Sequence, residues 1–170
     1  MSGAVYMVEW PVYVSIGSNI QPVVHIHSCL QQLTARFGVL TVSSIYRNPP
    51  VGFVGEDFYN LVVGFGTVLS PVALKQEFKA LEQQHGRCGA NRSGSRTLDL
   101  DLLLYADQVN PALKLPHPDI LRYVFVLQPL AEIAGSVQHP LTGQTMDALW
   151  AERDTEALEA VQLFSWKTDA

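Results

Sequence analysis

The apolar positions of the first 105 residues switch between the period of a strand and the period of a helix. Runs rich in Val, Ile, Phe and Tyr predict strands, because β-branched and aromatic side chains suit a pleated surface. Recurrence every three or four residues predicts helices. The predicted strands cover residues 13–16, 39–46, 58–68 and 97–105, and the predicted helices cover residues 23–37 and 71–85. The prolines of the Arg47-Asn48-Pro49-Pro50 segment are expected to break the second strand.

The predicted order is β-α-β-β-α-β, the order of a ferredoxin-like antiparallel sheet with two helices on one face. The fold class is therefore α+β. Ser70 suits the N-cap of the second helix, and Gly86 suits the position just after its end. C-terminal additions are expected as short helices near residues 125–133 and 146–152, whereas residues 158–164 fit either a strand or a helix.

Length, composition and charge limit the classes of protein that remain. A chain of 170 residues, 48% hydrophobic and 16% charged, fits one soluble domain over residues 1–170. Its net charge of −5 disfavours general binding to nucleic acid. No apolar run approaches the roughly 20 residues of a membrane span, and the start has no secretion signal. We therefore expect a cytoplasmic monomer that binds no membrane.

Residues 96–102 combine alternating leucines with two carboxylates. In a strand the leucines face one side, while Asp99 and Asp101 face the other. Two carboxylates about 6–7 Å apart repel by roughly 2–3 kcal/mol at an effective dielectric near 20, and a divalent cation removes that cost. Magnesium is usually held by one or two carboxylates together with water and phosphate oxygens. A magnesium site is one interpretation, and a solvated acidic sheet face is the other.

An arginine-rich stretch, residues 86–96, leads directly into this strand. It contains three Gly, three Arg, two Ser and one Asn without apolar periodicity, which predicts a surface loop. Phosphoryl transfer needs positioning and charge neutralisation, which arginines and metal ions supply together. Arg87, Arg92 and Arg96 are therefore candidates for phosphate binding. Incidental salt bridges to the two aspartates are the alternative.

A strand face and a proline-flanked histidine suggest further binding groups. Phe58 and Asn60 share a face by the period of two, so a flat heterocycle could stack on the ring while the amide reads its edge. A core phenylalanine is the alternative. His117 lies between two prolines, where we expect a rigid, exposed side chain that could donate to a phosphate. A structural histidine is the alternative there.

Taken together, these residues resemble the 6-hydroxymethyl-7,8-dihydropterin pyrophosphokinase family. The resemblance extends over roughly two-thirds of the chain, in family order. The matching blocks are Gly17-Ser18-Asn19, Ser43-Ser44-Ile45-Tyr46-Arg47, Pro49-Pro50, Phe58-Tyr59-Asn60, Glu82-Gln83-Gln84, Gly86-Arg87, Arg96-Thr97-Leu98-Asp99-Leu100-Asp101, Pro116-His117, Phe125-Val126-Leu127 and Pro129-Leu130. The Arg-Thr-Leu-Asp-Leu-Asp block is the most specific of them.

The resemblance implies an ATP-dependent transferase of folate biosynthesis. Such an enzyme moves the β,γ-diphosphate of ATP to the hydroxymethyl group of a hydroxymethyl-dihydropterin and releases AMP. By resemblance, Asp99 and Asp101 hold two magnesium ions that bridge the ATP phosphates, and they act in catalysis with Arg87 and Arg96. The implied pterin-binding positions are Asn48, Pro50, Val51, Phe58, Asn60 and Phe125. The implied nucleotide-binding positions are Glu82, Arg87, Arg96, Leu102 and His117, and we add Arg92 of the arginine-rich stretch and Arg122 as candidates.

The sequence departs from the family pattern mainly on the nucleotide side. The arginine loop is about one residue shorter than in the best-known members, and Ser93 stands where they have Trp. Lys79 replaces a common glutamine and Asn48 a common Thr or Ser. Arg122 lies one position before the usual arginine, where Tyr123 stands. One alternative is therefore a divergent paralogue with slow transfer or another pteridine substrate. Another is a non-catalytic RNA-binding sheet, which the acidic face disfavours.

Overall fold

The structure, a computed structural model, describes residues 7–86 and 94–153 and the backbone of residues 162–164. Its strands are β1 (Trp10–Ser18), β2 (Thr41–Val42), β3 (Ile45–Asn48), β4 (Phe58–Thr67), β5 (Asp99–Tyr105) and β6 (Gln162–Phe164). Its helices are α1 (Pro22–Phe37), α2 (Pro71–Gln84), α3 (Asp119–Arg122), α4 (Val124–Ala134) and α5 (Met146–Ala151), with a 3₁₀ turn at Pro111–Leu113. In these described ranges, no helix combines the length and the apolar character needed to cross a bilayer.

The sheet confirms the predicted α+β class. Its strands run in the order β5-β1-β4-β3-β6, and β2 also pairs with β4. Every strand pair is antiparallel. The strand that follows α2 lies beside β1, and β4 lies between β1 and β3, as in a ferredoxin-like chain. The strands β5, β1 and β4 therefore lie side by side, with β5 at one edge of the described sheet.

Helices cover both faces of this sheet. The side chains of Ile26, Cys29 and Leu33 recur at helical spacing on α1 and are completely buried against one face. Leu74 and Phe78 of α2 complete that layer. The C-terminal additions, α3 to α5, bury a second apolar cluster against the opposite face. Burial, together with the nearby Glu82 carboxylate, raises the pKa of the Cys29 thiol to about 12, so Cys29 is an inert core residue.

The predicted strand over residues 39–46 is wrong as a single element, because it divides into β2 and β3. Between them, Ser43 accepts a hydrogen bond from the Val62 N–H with its side-chain Oγ (2.9 Å). A side chain therefore takes the place of a backbone carbonyl in the ladder, and the regular pairing is interrupted there. The expected break at the prolines is confirmed, because β3 ends at Asn48, which pairs with Phe58 and directly precedes Pro49.

An exposed glutamate of α4 fastens the helix to β3 and to the residue before it. Glu132 accepts hydrogen bonds from the backbone N–H and the hydroxyl of Ser44 (2.9 and 2.8 Å) and from the Tyr46 hydroxyl (2.8 Å). Burial and this carboxylate raise the pKa of Tyr46 above its usual range. The contact fixes the last turn of α4 against the sheet. At the far edge, β6 pairs with β3, so the undecided segment contains a strand at residues 162–164.

Candidate active site

The strand register aligns two polar side chains on either side of a glycine. Gly17 of β1 lies directly opposite Asp99 of β5 on one side and Asn60 of β4 on the other. Residues that face each other across antiparallel strands share a face. Asp101 lies opposite Ser15, one step further along the same face. The predicted alternation of β5 is confirmed, because its leucines at 98, 100 and 102 are buried while both aspartates are partly exposed.

Two cavities open on either side of these aspartates. The first, the α2 cavity, has a volume of about 440 Å³ and is lined by Lys75, Phe78, Lys79, Glu82, Gln83, Asp99, Leu100 and Asp101. The second, the aromatic cavity, has a volume of about 230 Å³ and is lined by Ser15, Gly17, Asn48, Val51, Phe53, Phe58, Asn60, Asp99, Asp101, Asp119, Tyr123, Phe125 and Val126. Asp99 and Asp101 belong to the walls of both. A group bound at these carboxylates therefore reaches both cavities.

The α2 cavity is formed by one face of α2 and the edge of β5. Lys75, Lys79 and Glu82 are spaced by four and three residues, so they lie along one side of the helix. Glu82 Oε1 accepts a hydrogen bond from the Leu100 N–H (2.8 Å), which ties the helix to the edge strand. Lys75 Nζ donates to the Leu113 carbonyl (2.7 Å). This wall offers ammonium groups beside carboxylates, the charge pattern that suits a metal-bound polyphosphate.

Aromatic rings supply two walls of the aromatic cavity. Phe58 begins β4 on one side, and Phe125 lies in the first turn of α4 on the other. Tyr123 stacks on Phe125, with ring centroids 5.0 Å apart and an angle of 15° between the planes. Flat heterocycles bind between such apolar faces. The structure thus brings Phe58 and Phe125 together around one cavity of small-molecule size.

Two buried amides form the inner end of that cavity. Asn60 Nδ2 donates to Asn48 Oδ1 (2.6 Å), and Asn48 Nδ2 donates to the Pro49 carbonyl (2.9 Å). These bonds fix the orientation of both amides, since each has a defined donor side. A methyl group at Gly17 would lie 2.7 Å from Asn60 Oδ1. Glycine at this position therefore keeps the floor of the cavity open beside the amide.

His117 lies against the acidic strand, but the expectation that it is exposed is wrong. The residue is buried, because its backbone N–H donates to the Leu103 carbonyl (2.8 Å) and holds the segment along β5. Its Nδ1 accepts a hydrogen bond from the Asp119 N–H (3.3 Å). In the neutral ring the proton then lies on Nε2, which is 3.8 Å from Asp101 Oδ1. The imidazole N–H thus points to the wall formed by Asp99 and Asp101, which both cavities share and which we call the shared wall.

Asn19 fixes Arg96 at the start of the acidic strand. The Arg96 N–H donates to Asn19 Oδ1 (2.7 Å), and the Arg96 carbonyl accepts from the Asn19 and Ile20 N–H groups (3.0 and 3.2 Å). Asn19 Nδ2 also donates to the Glu56 carbonyl and to Ser95 Oγ. One buried amide therefore joins the loop 49–57 to the segment that carries Arg96.

Some predicted site residues lie elsewhere or outside the described part of the chain. Arg122 ends α3 and is exposed, and it lines neither cavity. The Leu102 side chain is buried in the core, whereas Leu100 lines the α2 cavity. Pro50 is partly exposed beside the aromatic cavity wall formed by Val51. Arg87 and Arg92 lie outside the described residues.

Several cavity residues had no assigned role in the sequence. Lys75 could have been found, because it lies on the same helical face as Lys79. Asp119 could have been suspected from its position two residues after His117. The contributions of Gly17 and Phe53 depend on strand register and loop conformation, for which the sequence gives no local signal.

The shared wall suits a hard divalent cation. Asp99 and Asp101 present partly exposed carboxylates from alternate positions of one strand. A carboxylate oxygen of Asp119 lies within 4.8 Å of one of Asp101. Carboxylate oxygens are the ligands that magnesium prefers, and the remaining coordination positions are usually water or phosphate. The donor set therefore fits magnesium beside a bound polyphosphate.

Comparison with known proteins assigns the chain to a family. The family model of 7,8-dihydro-6-hydroxymethylpterin-pyrophosphokinase (HPPK) matches residues 13–135. A 2-amino-4-hydroxy-6-hydroxymethyldihydropteridine pyrophosphokinase of Haemophilus influenzae is 37% identical over 134 residues, which are 75% of this chain and 84% of that protein. The enzyme of the same name from Synechocystis is 38% identical over 150 residues, covering 85% of this chain and 77% of that protein.

Solved structures agree on the fold. An HPPK-DHPS chain of Plasmodium falciparum, crystallised with pterin and p-hydroxybenzoate, superposes with a TM-score of 0.72 at 12% identity. The match covers 94% of this chain but only 48% of that longer one. The resemblance inferred from the sequence is thereby confirmed, and the chain belongs to the 7,8-dihydro-6-hydroxymethylpterin-pyrophosphokinase family.

Proposed function

We propose that this chain catalyses the ATP-dependent transfer of a diphosphate group to the hydroxymethyl group of 6-hydroxymethyl-7,8-dihydropterin, releasing AMP for the folate pathway. Family membership supports the reaction, because the curated relatives carry the name of this enzyme. The observation that carries the proposal is the wall shared by the two cavities. Asp99 and Asp101 line both, so the acceptor and the donor would meet at these carboxylates.

The two substrates are assigned by the chemistry of the cavities. The pterin binds in the aromatic cavity, where Phe58 and Phe125 cover the faces of the ring and Asn60 meets its donor-acceptor edge. Backbone groups at Asn48, Pro50 and Val51 complete that edge. ATP binds in the α2 cavity, along Lys79 and Glu82, with its phosphates directed to the aspartates. Leu102 and Arg122 remain weaker candidates for nucleotide contacts.

Asp99 and Asp101 are the residues that would hold magnesium, and we propose two ions. When bound, the metal neutralises phosphate charge and orients the phosphates for in-line displacement. The carboxylates are held by β5 pairing with β1, so their positions do not depend on a loop. A rigid strand can therefore hold the acceptor oxygen and the β-phosphate at a fixed position relative to each other.

The transfer makes one oxygen–phosphorus bond and breaks another. The hydroxymethyl oxygen attacks the β-phosphorus of ATP and loses its proton, and the bond from the β-phosphorus to the α-β bridging oxygen breaks to release AMP. The guanidinium of Arg96 stabilises negative charge on the phosphates, together with Arg87 and Arg92. His117 Nε2–H donates to a phosphate oxygen, because its other nitrogen already accepts from a backbone N–H.

An assay of AMP release with hydroxymethyl-dihydropterin, ATP and magnesium tests the proposal. We expect one AMP and one diphosphorylated pterin for each ATP consumed, and ADP should not accumulate. Calorimetry with a non-hydrolysable ATP analogue, magnesium and pterin, alone and in each order, tests the two binding sites separately. Formation of ADP with phosphorylated pterin would contradict the transfer of a diphosphate. Absence of pterin binding would contradict the assignment of the aromatic cavity.

The physiological setting is part of the same proposal. We propose that residues 1–170 act as one catalytic domain, as a monomer in the cytoplasm. Sedimentation across a concentration series tests the oligomeric state. A mass that doubles with concentration while specific activity changes would contradict a monomeric enzyme.

A further inference from the structure

Phe53 is a partly buried ring in a loop that is otherwise open to solvent. Its neighbours Gly52 and Val54 are exposed, and Val54 makes almost no contact with the rest of the chain. The Phe53 ring instead turns inward and lines the aromatic cavity. It meets Phe58 edge to face, with centroids 6.2 Å apart and an angle of 85° between the planes. This edge-to-face arrangement is a favourable geometry for two aromatic rings.

Two glycines make room for this ring. A methyl group at Gly55 would lie 2.9 Å from the ring, and one at Gly94 would lie 2.7 Å from it. Both distances are too short for carbon atoms in contact. Gly94 also has a φ of +78°, a conformation that other residues rarely adopt. The ring therefore occupies the space that a side chain at position 94 would need.

The contact lies between two parts of the site. Phe53 belongs to the loop 49–57, which borders the aromatic cavity, whereas Gly94 is two residues before Arg96. Asn19 already joins the same two segments through the Glu56 carbonyl and Ser95 Oγ. Phe53 adds an apolar contact beside this polar one. It thus closes the cavity on the side where the loop meets the segment that carries Arg96.

We propose that Phe53 is a further pterin-binding residue, which closes this side of the aromatic cavity and braces Phe58, and that Gly94 is required to admit its ring. The inference rests on the proposed function, since it concerns the pterin in the aromatic cavity. This additional aromatic side chain excludes water from the bound heterocycle. The phosphate-binding α2 cavity has no contact with the ring, so Phe53 determines pterin affinity without affecting the nucleotide.

Titrations of pterin and of an ATP analogue into a set of variants test this inference. Phe53→Ala should raise the Kd for pterin about tenfold and leave the Kd for the ATP analogue unchanged. Phe53→Leu should lie between, because it keeps apolar volume without the ring. Gly94→Ala should weaken pterin binding by displacing the ring. In the Phe53→Ala background, the same substitution should have a much smaller effect, because the clash with the ring is gone.

Gly143→Ala is the matched control for backbone strain. Gly143 has a similar φ of +73°, but a methyl group there meets no atom within 4 Å. It should lower the thermal midpoint as Gly94→Ala does, while pterin binding stays at the wild-type value. Additive losses in the Phe53→Ala/Gly94→Ala variant, or wild-type pterin affinity in Phe53→Ala, would overturn the inference alone. A wild-type chain that does not bind pterin would overturn the proposed function as well.

Discussion

The α2 cavity and the aromatic cavity share two aspartates but differ in the side chains that form their other walls. Lys79 and Gln83 of the α2 cavity are exposed, and their flexible side chains can follow a ligand. In the aromatic cavity, Asn48 and Asn60 are only 4% and 6% exposed and bond to each other. The first cavity is a charged helix face, and the second is a preformed slot.

This difference matches the ligand that we propose for each cavity. A pterin is flat and uncharged, so discrimination depends on hydrogen bonds at fixed positions, and an unpaired amide costs about 1–3 kcal/mol when buried. A triphosphate carries high charge, and Coulomb attraction decreases slowly with distance. Flexible lysine side chains would therefore suffice to bind a nucleotide, whereas a pterin requires hydrogen-bonding groups that are fixed before it binds. Substitutions should separate the two kinds of binding.

The largest effect should come from the wall common to both cavities. Asp101→Asn removes a carboxylate charge, so kcat/KM for AMP release should fall at least about a thousandfold, on the order of 4 kcal/mol. The Asp101 side chain is 45% exposed, so the fold should survive. Magnesium binding, measured by calorimetry with the ATP analogue, should weaken in parallel. Asp107→Asn, an exposed aspartate just beyond the end of β5, is the control. Equal rates in the two variants would contradict the metal site.

A second comparison ranks the arginines. Arg96 is fixed by Asn19 at the start of the acidic strand, whereas Arg122 is exposed at the end of α3. Arg96→Ala should lower turnover at least about a hundredfold, on the order of 2.7 kcal/mol, and Arg122→Ala by about tenfold or less. Steady-state rates of the purified variants measure both. Equal losses would show that Arg122 reaches the phosphates despite its position.

The pterin slot itself should respond to loss of its amide. Asn60→Ala should weaken pterin binding by about 1–3 kcal/mol, because a polar edge of the ligand loses its partner. Phe125→Ala should have an effect of similar size through lost stacking. Affinity for the ATP analogue should stay unchanged in both. Lys79→Ala is the reciprocal variant, in which nucleotide affinity should fall and pterin affinity should not. A crossed pattern would mean that the two cavities have been assigned in reverse.

The smallest effects should arise outside both cavities, from two buried histidines. Burial lowers the pKa of His85 and of His139 below the usual 6.5, and the neighbouring His25 lowers that of His85 further. The unfolded chain then binds protons that the folded chain does not, so stability is complete above pH 6.5 and is lost as pH falls through the folded values.

This pH dependence can be measured by denaturant unfolding. The free energy of unfolding should decrease between about pH 7.5 and pH 5.5, and His139→Gln should reduce the decrease. His85→Gln should do the same, although it also changes the contacts of the ring with His25 and Gln32 (2.8 and 3.2 Å). An unchanged slope in both variants would assign the pH dependence to other groups.

The sequence predicts most of the strands and the alternation within β5, because these depend on local periodicity. Alternation in β5 is enough to separate its leucines from Asp99 and Asp101, and helix-capping signals place the ends of α2. The predictions that were wrong concern features that depend on tertiary contacts. Ser43 interrupts a strand because its hydroxyl meets Val62 across the sheet. His117 is buried because a backbone bond to Leu103 draws it onto β5.

The cavity walls are the part that local patterns predict least. In the sequence, Gly17 only marks the end of a strand. The strand register shows that it lies between Asn60 and Asp99 and forms the base of the aromatic cavity there. The sequence gives no sign that the loop residue Phe53 lines the cavity, because its ring is placed by contacts with two glycines. Residues of this kind are fixed by shape complementarity between distant segments, which periodicity does not encode.

The position of the acidic pair at the sheet edge has a further consequence for association between molecules. Among the described strands, β5 pairs only with β1, so its other side is an edge of the sheet, where the His117 N–H covers the Leu103 carbonyl. Exposed edges of this kind promote aggregation, and charged side chains discourage it. Glu82 already occupies the Leu100 N–H, and two neighbouring aspartates add charge beside it. The carboxylates assigned to the reaction thus also guard the chain against intermolecular β-pairing.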